Sequence, residues 1–172
     1  PMNASIDAAP EPLVLAETKD GVCTLTMNRG DRFNPLSRAM IAALDGALRA
    51  SERDPSIKVI VLTAAGPAFS SGHDLKELSS HRSDPDRGKA YFAKIMDACS
   101  RMMLSIVRSP KPVIAAVNGI ATAAGCQLVA TCDLAVASQD ARFATPGVNI
   151  GLFCSTPMVA LSRNLSRKAA ME

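Results

Sequence analysis

Tryptophan is absent from this 172-residue chain, tyrosine occurs once, and aromatic residues together make up 3% of it. The stacking platforms of a single-strand nucleic-acid reader are therefore missing. A net charge of +3, dispersed along the sequence, supplies no basic stripe in their place. The five cysteines (Cys23, Cys99, Cys126, Cys132 and Cys154) are odd in number and form no Cys-x-x-Cys pair. That pattern argues against a disulfide framework or a zinc site and for reduced thiols in a cytoplasmic protein. Long apolar runs are lacking too. The stretch from Ser109 to Cys132 is uncharged apart from Lys111, but Pro110, Pro112, Asn118, Gly119, Gly125 and Gln127 break it, so no membrane-spanning helix is expected. The start, Pro1-Met2-Asn3-Ala4-Ser5, has no basic region leading into an apolar run, so no export signal is expected there, and it reads as a scar of tag cleavage.

What remains is 48% hydrophobic and 20% charged, the composition of a globular domain. Residues 1–11, small, acidic or Pro-rich, read as a flexible lead-in to a domain over 12–172. Leu13-Val14-Leu15 and Val22 to Met27 flank the turn Lys19-Asp20-Gly21 and predict a hairpin. From Ser37 as N-cap, Met40, Ile41, Leu44, Ala47 and Leu48 follow helical spacing until Glu52-Arg53-Asp54-Pro55. Lys58 to Thr63 and Val113 to Val117 predict buried strands, and Leu134 to Ala137 a third. Between them, Phe92, Ile95, Cys99, Met102, Met103 and Ile106 mark the core stripe of a long helix that stops before Pro110. Strands alternating with helices imply an α/β fold with parallel strands and binding loops at their carboxyl ends.

Two such loops hold the candidate chemistry. One runs from Gly66 to Leu78 through Ser70-Ser71-Gly72-His73-Asp74, small residues that let a ligand approach the backbone. The other, Asn118-Gly119-Ile120-Ala121-Thr122-Ala123-Ala124-Gly125-Cys126-Gln127, opens a helix whose free NH groups suit an anion.

With these loops in view, the chain resembles the crotonase superfamily, the enoyl-CoA hydratase and isomerase family. The resemblance runs from about Leu13 to the C-terminus, through Asn28-Arg29, Asn34-Pro35-Leu36-Ser37, Phe69 to Leu78, Lys111 to Gly119 and Cys132 to Ala137. Within the family it looks closest to the enoyl-CoA hydratase domain-containing protein 3 group, through Phe69 to Leu78 and Ala144 to Pro157. The resemblance implies a crotonase (ClpP/crotonase-like) fold of repeated ββα units, lacking its C-terminal helical part because the chain stops in a helix over Lys168 to Met171. It implies an oxyanion hole made by the backbone NH groups of His73 and Ala124. It places an acyl-CoA thioester, with coenzyme A as part of the substrate and no separate cofactor or metal, against Arg32, Phe33, Pro35, Ser71, Asp74, Leu75, Lys76, Ala123 and Pro146. Arg32 and Lys76 would meet phosphates. A homotrimer or hexamer is implied for the full-length protein.

Hydratases of this family use two glutamates for proton transfer, and those positions here are Gln127 and Gly147. An amide does not exchange a proton near neutral pH and glycine has no side chain. Enolate stabilisation, in a lyase or isomerase, is therefore the leading expectation. A non-catalytic acyl-CoA binder comes second, and an orthodox hydratase of fatty-acid metabolism third. Restoring both glutamates is expected to return some hydration if the loops are otherwise intact. The His73 ring is a candidate replacement base, since imidazole titrates near neutrality and Gly-His-Asp is similar to the methylmalonyl-CoA decarboxylase branch. Packing or solvent contact is the plainer reading of that ring. His81 reads as surface. Cys126 and Cys154 are weak candidate nucleophiles, because no second histidine is placed to activate them.

Overall fold

In the computed structural model, which describes residues 11–171, the predicted hairpin forms from β1 (Val14–Lys19) and β2 (Val22–Met27). Lys19 pairs with Val22, leaving Asp20 and Gly21 as a two-residue loop with φ of 50° and 82°. Positive φ at both positions matches the right-handed twist of the strands. The lead-in expected over 1–11 lies, Glu11 apart, outside the described residues.

The first helix, α1 (Arg38–Arg53), starts where the spacing predicts. The Ser37 hydroxyl accepts from Met40 N at 3.1 Å, a cap worth about 1 kcal/mol, and Met40, Ile41, Leu44 and Leu48 are buried. Then follow β3 (Val59–Ala64), β4 (Ala68–Ser70), α2 (Leu75–Ser80) and α3 (Lys89–Val107). The α3 stripe is buried as expected at Ile95, Cys99, Met102, Met103 and Ile106, with Phe92 only half-buried. The rest is β5 (Val113–Val117), β6 (Ile120–Thr122), α4 (Ala124–Thr131), β7 (Leu134–Ala137), β8 (Arg142–Ala144), α5 (Ser155–Asn164) and α6 (Arg167–Met171).

Two sheets result. The larger has the order β1-β2-β3-β5-β7, parallel from β2 onward, as the strand and helix alternation implies. The smaller, β4-β6-β8, is parallel throughout, and its three-residue strands are too short to show periodicity in the sequence. In β3 and β5 every second residue is fully buried and the others half-covered, so one face of the large sheet, not both, carries the core. Leu25, Leu62, Ile60 and Val113 on that face meet Leu44, Met102 and Ile106 in one cluster. Each such side chain contributes about 1.5–3 kcal/mol by leaving water.

The reading of β7 as a third buried strand is corrected. It is a strand, but it forms the sheet edge and all four residues are exposed, Leu134 at 61% and Val136 at 66%. Apolar composition alone does not tell a covered strand from an uncovered one.

Candidate functional site

The site is assembled by three segments that meet at the end of the small sheet. Two residues before the loop over Gly72, the Ser70 hydroxyl donates to the Asn34 carbonyl at 2.9 Å and accepts from Gly72 N at 3.2 Å. Ser71 N donates to Phe33 O at 2.9 Å and Leu36 N to Gly72 O at 2.7 Å, and Leu36 pairs with His73 as a parallel bridge. Asn34 is the hub of this lacing. Fully buried, it donates from Nδ2 to Ala65 O and Ala68 O, both at 2.9 Å, and accepts from Arg29 N at 2.8 Å. Nothing local in the sequence marks Asn34 and Ser70 beyond membership of the blocks that carry the resemblance, because their partners lie far along the chain.

The third segment is the turn into α4. Thr122 Oγ1 donates to Ser71 O at 3.1 Å, and Ala123 N donates to Ala144 O at 2.9 Å, so the turn is held from both sides. Ala123 adopts φ 50° and ψ −120°, a region L residues rarely enter, at a cost of order 1–3 kcal/mol. Gly72, at φ 86°, sits against it: a Cβ there would lie 3.0 Å from Ala123 Cβ and 3.3 Å from Ala124 N. Gly125 is closer still to the first loop, its would-be Cβ 2.4 Å from Ser70 O. The residue before His73 therefore abuts Ala124. Among the described residues neither the His73 NH nor the Ala124 NH has an acceptor.

Seven of the residues expected at coenzyme A surround a single depression of about 410 Å³, together with His73: Arg32, Phe33, Pro35, Ser71, Asp74, Leu75 and Lys76. Ala123 lies across Gly72 from it, and Pro146 is exposed at the start of a 3-10 turn over Pro146–Ile150. Asp74 caps α2, its Oδ1 accepting from Lys76 N at 3.0 Å and Glu77 N at 3.1 Å, and its Oδ2 stands 3.6 Å from the Arg32 guanidinium. Arg32 and Lys76 remain exposed at the rim.

The His73 ring is half-buried, and its Nε2 is shut from solvent with no partner among the described residues. Burial pulls its pKa below the ordinary value and Glu77 opposes the shift weakly, so the ring is neutral at pH 7. His81 lies apart, stacked on Tyr91 at 3.5 Å with its Nδ1 2.8 Å from Asp84 Oδ2.

Gln127 and Gly147 do not share the His73 depression. Gln127 opens into a groove of about 510 Å³ between α3, α4 and α5, and its Oε1 is buried without a partner. Gly147 is buried, and a Cβ there would fall 2.5 Å from Leu152 O and 2.7 Å from Cys154 Sγ. The expectation that glutamates restored at both positions would return hydration is thereby corrected at position 147, where there is no space for a side chain unless the turn moves. Burial pushes the Cys126 thiol pKa up, against a lowering hydrogen bond at Ala144, and holds Cys99 up at about 11 and Cys132 at about 12. All five cysteines are free. Among the described residues no group of three His, Cys, Asp or Glu is placed to hold a metal ion, and no helix is long and apolar enough to cross a membrane.

A sequence profile described as enoyl-CoA hydratase/isomerase matches residues 17–172. Enoyl-CoA hydratase domain-containing protein 3, mitochondrial, of Homo sapiens is 48% identical over 166 residues, which cover 96% of this chain and 53% of that protein. The Xenopus laevis protein of the same name is 46% identical over 171 residues, 99% of this chain and 56% of that one. The chain thus spans about half the length of these curated relatives. Among solved structures, an enoyl-CoA hydratase of Mycobacterium smegmatis superposes with a TM-score of 0.85 at 56% identity, over 94% of this chain and 61% of that one. The human domain-containing protein 3 gives 0.84 at 48%, over 92% and 61%. Both matches are to the fold expected from the sequence. The "mitochondrial" in the relatives' names does not accord with a plain cytoplasmic expectation.

Proposed function

We propose that this chain, which belongs to the enoyl-CoA hydratase/isomerase family, binds an acyl-CoA thioester and polarises its carbonyl through the NH groups of His73 and Ala124. The observation that carries this reading is the abutment of Gly72 on Ala124, which sets two NH groups without acceptors on neighbouring turns. A thioester oxygen accepting from both gains most when it becomes an enolate oxygen, and one such donor is typically worth about 3 kcal/mol of barrier. Coenzyme A is part of the substrate and lies along the depression from Phe33 to Lys76, with Arg32 and Lys76 toward its phosphates.

Proton transfer is the weaker half. Gln127 carries no exchangeable acid, Gly147 carries nothing, and the neutral His73 ring belongs to the residue whose NH is one of the pair. The reaction class is therefore enolate chemistry without water addition. The crowding at Gly147 favours a second reading, an acyl-CoA binder that turns nothing over. The free cysteines suit a reducing compartment, a description that fits the mitochondrial matrix as well as the cytosol. A trimer or hexamer is the assembly proposed for the full-length protein, and sedimentation of that protein tests it; Leu134, Val136, Phe143 and Phe153 are exposed in this chain.

Calorimetric titration with butyryl-CoA and crotonyl-CoA tests the binding step, with the enoyl absorbance followed in parallel. Saturable binding without hydration is expected. Exchange of the acyl α-protons with deuterium, read by NMR, separates the enzyme from the binder. No binding at millimolar ligand sinks both readings, and hydratase-level turnover sinks the argument from Gln127 and Gly147.

A further inference from the structure

We propose that Glu77 is a positioning residue for coenzyme A: by accepting a hydrogen bond from the first main-chain NH of α1, it holds α2 where the Lys76 ammonium meets the phosphates. This rests on the acyl-CoA reading above and adds to it a residue that does not line the depression.

Six residues are too few to hold a helix by themselves, so α2 takes its place from what it touches. None of the six is buried; Leu78, half-buried, packs against the core, and Leu75 is 70% exposed. Burial therefore does little to orient this helix. Two of its fastenings are local: Asp74 caps it from the preceding residue, and Ser80 Oγ donates to Glu77 O at 2.7 Å. The Glu77 side chain reaches further. Its Oε2 accepts from Arg38 N at 2.9 Å, across 39 residues of sequence. The same carboxylate stands near α3, where burial first and Glu77 second push the Tyr91 hydroxyl pKa up to about 12.

The other end of this link is fixed. Met40, Ile41 and Leu44 bury α1 in the core, so α1 is the anchor and α2 the element positioned. The first NH groups of a helix have no acceptor within it, and the Ser37 hydroxyl takes only Met40 N. Nor does the first turn of α1 contain an acidic residue to complement the helix dipole. Glu77 supplies an acceptor and a negative charge from outside. For binding an anion, a carboxylate beside Lys76 is by itself unfavourable, because it repels the phosphates. Its bond to Arg38 N gives it the opposite effect, by fixing the helix that carries the ammonium.

The test is calorimetric titration of the full chain with butyryl-CoA. In Glu77→Ala the affinity is expected to fall about fivefold, the effect of one lost hydrogen bond, whereas loss of a repelling charge alone would raise it. Glu77→Gln keeps an acceptor for Arg38 N and is expected to bind within about twofold of the unaltered chain. Arg38→Pro removes the donor instead; proline is accepted at the first position of a helix, so α1 persists and the same fall is expected. In a Lys76→Ala background, Glu77→Ala is expected to change the affinity by less than about twofold, because the group it positions is gone. Unchanged or tighter binding in Glu77→Ala or Arg38→Pro overturns the proposal, as does a Glu77→Gln affinity as low as that of Glu77→Ala. So does a fall that persists without Lys76, which would be a general loosening of the fold. Each of these leaves the acyl-CoA reading standing. Failure of butyryl-CoA to bind the unaltered chain at millimolar concentration removes that reading and the proposal together.

Discussion

The lacing of residues 33–36 to 70–73 and the segment 142–154 both adjoin the start of α4, and they are built on opposite terms. The first is tied by backbone bonds through Asn34, Ser70 and Gly72. The second touches the turn through Ala144 O, then carries the crowded Gly147 and the exposed side chains of Val148, Ile150, Leu152 and Phe153. Polarising a carbonyl needs NH groups in position, and main-chain geometry provides them whatever side chain sits at 73 or 124. Proton transfer needs a particular side chain, and at 147 the space for one is filled by Leu152 O and Cys154 Sγ. On the proposed acyl-CoA reading, carbonyl polarisation rests on main-chain geometry and proton transfer on side-chain identity, so the two differ in how they are encoded.

The largest effect that would break this comparison is expected at Gly125. Gly125→Val drives a Cβ to 2.4 Å from Ser70 O, and a stability loss of about 3 kcal/mol with loss of acyl-CoA binding is expected in urea unfolding and calorimetry. Unchanged stability would mean that α4 and the first loop are not pressed together. Next comes the pair Gln127→Glu with Gly147→Glu. The second change forces the turn at Leu152 open, costs about 2 kcal/mol and returns no crotonyl-CoA hydration; measurable turnover would show the turn to be pliable.

Asp74→Ala sharpens the comparison from the binding side. It removes the cap on Lys76 N and Glu77 N, and about 1 kcal/mol should be lost in thermal unfolding along with a few-fold weaker coenzyme A affinity. The smallest effect is a pH dependence. Burial holds the folded His73 pKa below 6.5, so on acidification the unfolded chain takes up this proton first. The His73 contribution to stability is complete above that value and declines as pH falls through it toward the folded pKa. Tm should therefore drop between pH 7.5 and pH 5.5, and His73→Gln should shrink the drop.

Much of the fold was legible because its signals are local. The Asp20-Gly21 turn, the Ser37 cap and the stripes of α1 and α3 each lie within one element, where spacing reports the buried face. The small sheet was not legible, since three residues per strand leave no period to read. Nor was the exposure of β7, because Leu134 and Val136 look alike in sequence whether or not anything covers them. At the site, His73, Ala124, Gln127 and Gly147 were reached through resemblance, while Asn34 and Gly125 stayed hidden, their importance residing in contacts with segments remote along the chain.

By itself the sequence determined the order of the large-sheet strands and the long helices, the family, and the chemical identity of the groups at 127 and 147, since periodicity and side-chain chemistry belong to each segment alone. Only the tertiary structure decided that Gly72 presses on Ala124, that Gly147 has no room for a side chain, and that the Gln127 oxygen is buried without a partner. Those facts arise from close packing between segments about 50 residues apart, such as Ser71 and Thr122, and close packing is a property of the assembled volume that no local pattern encodes.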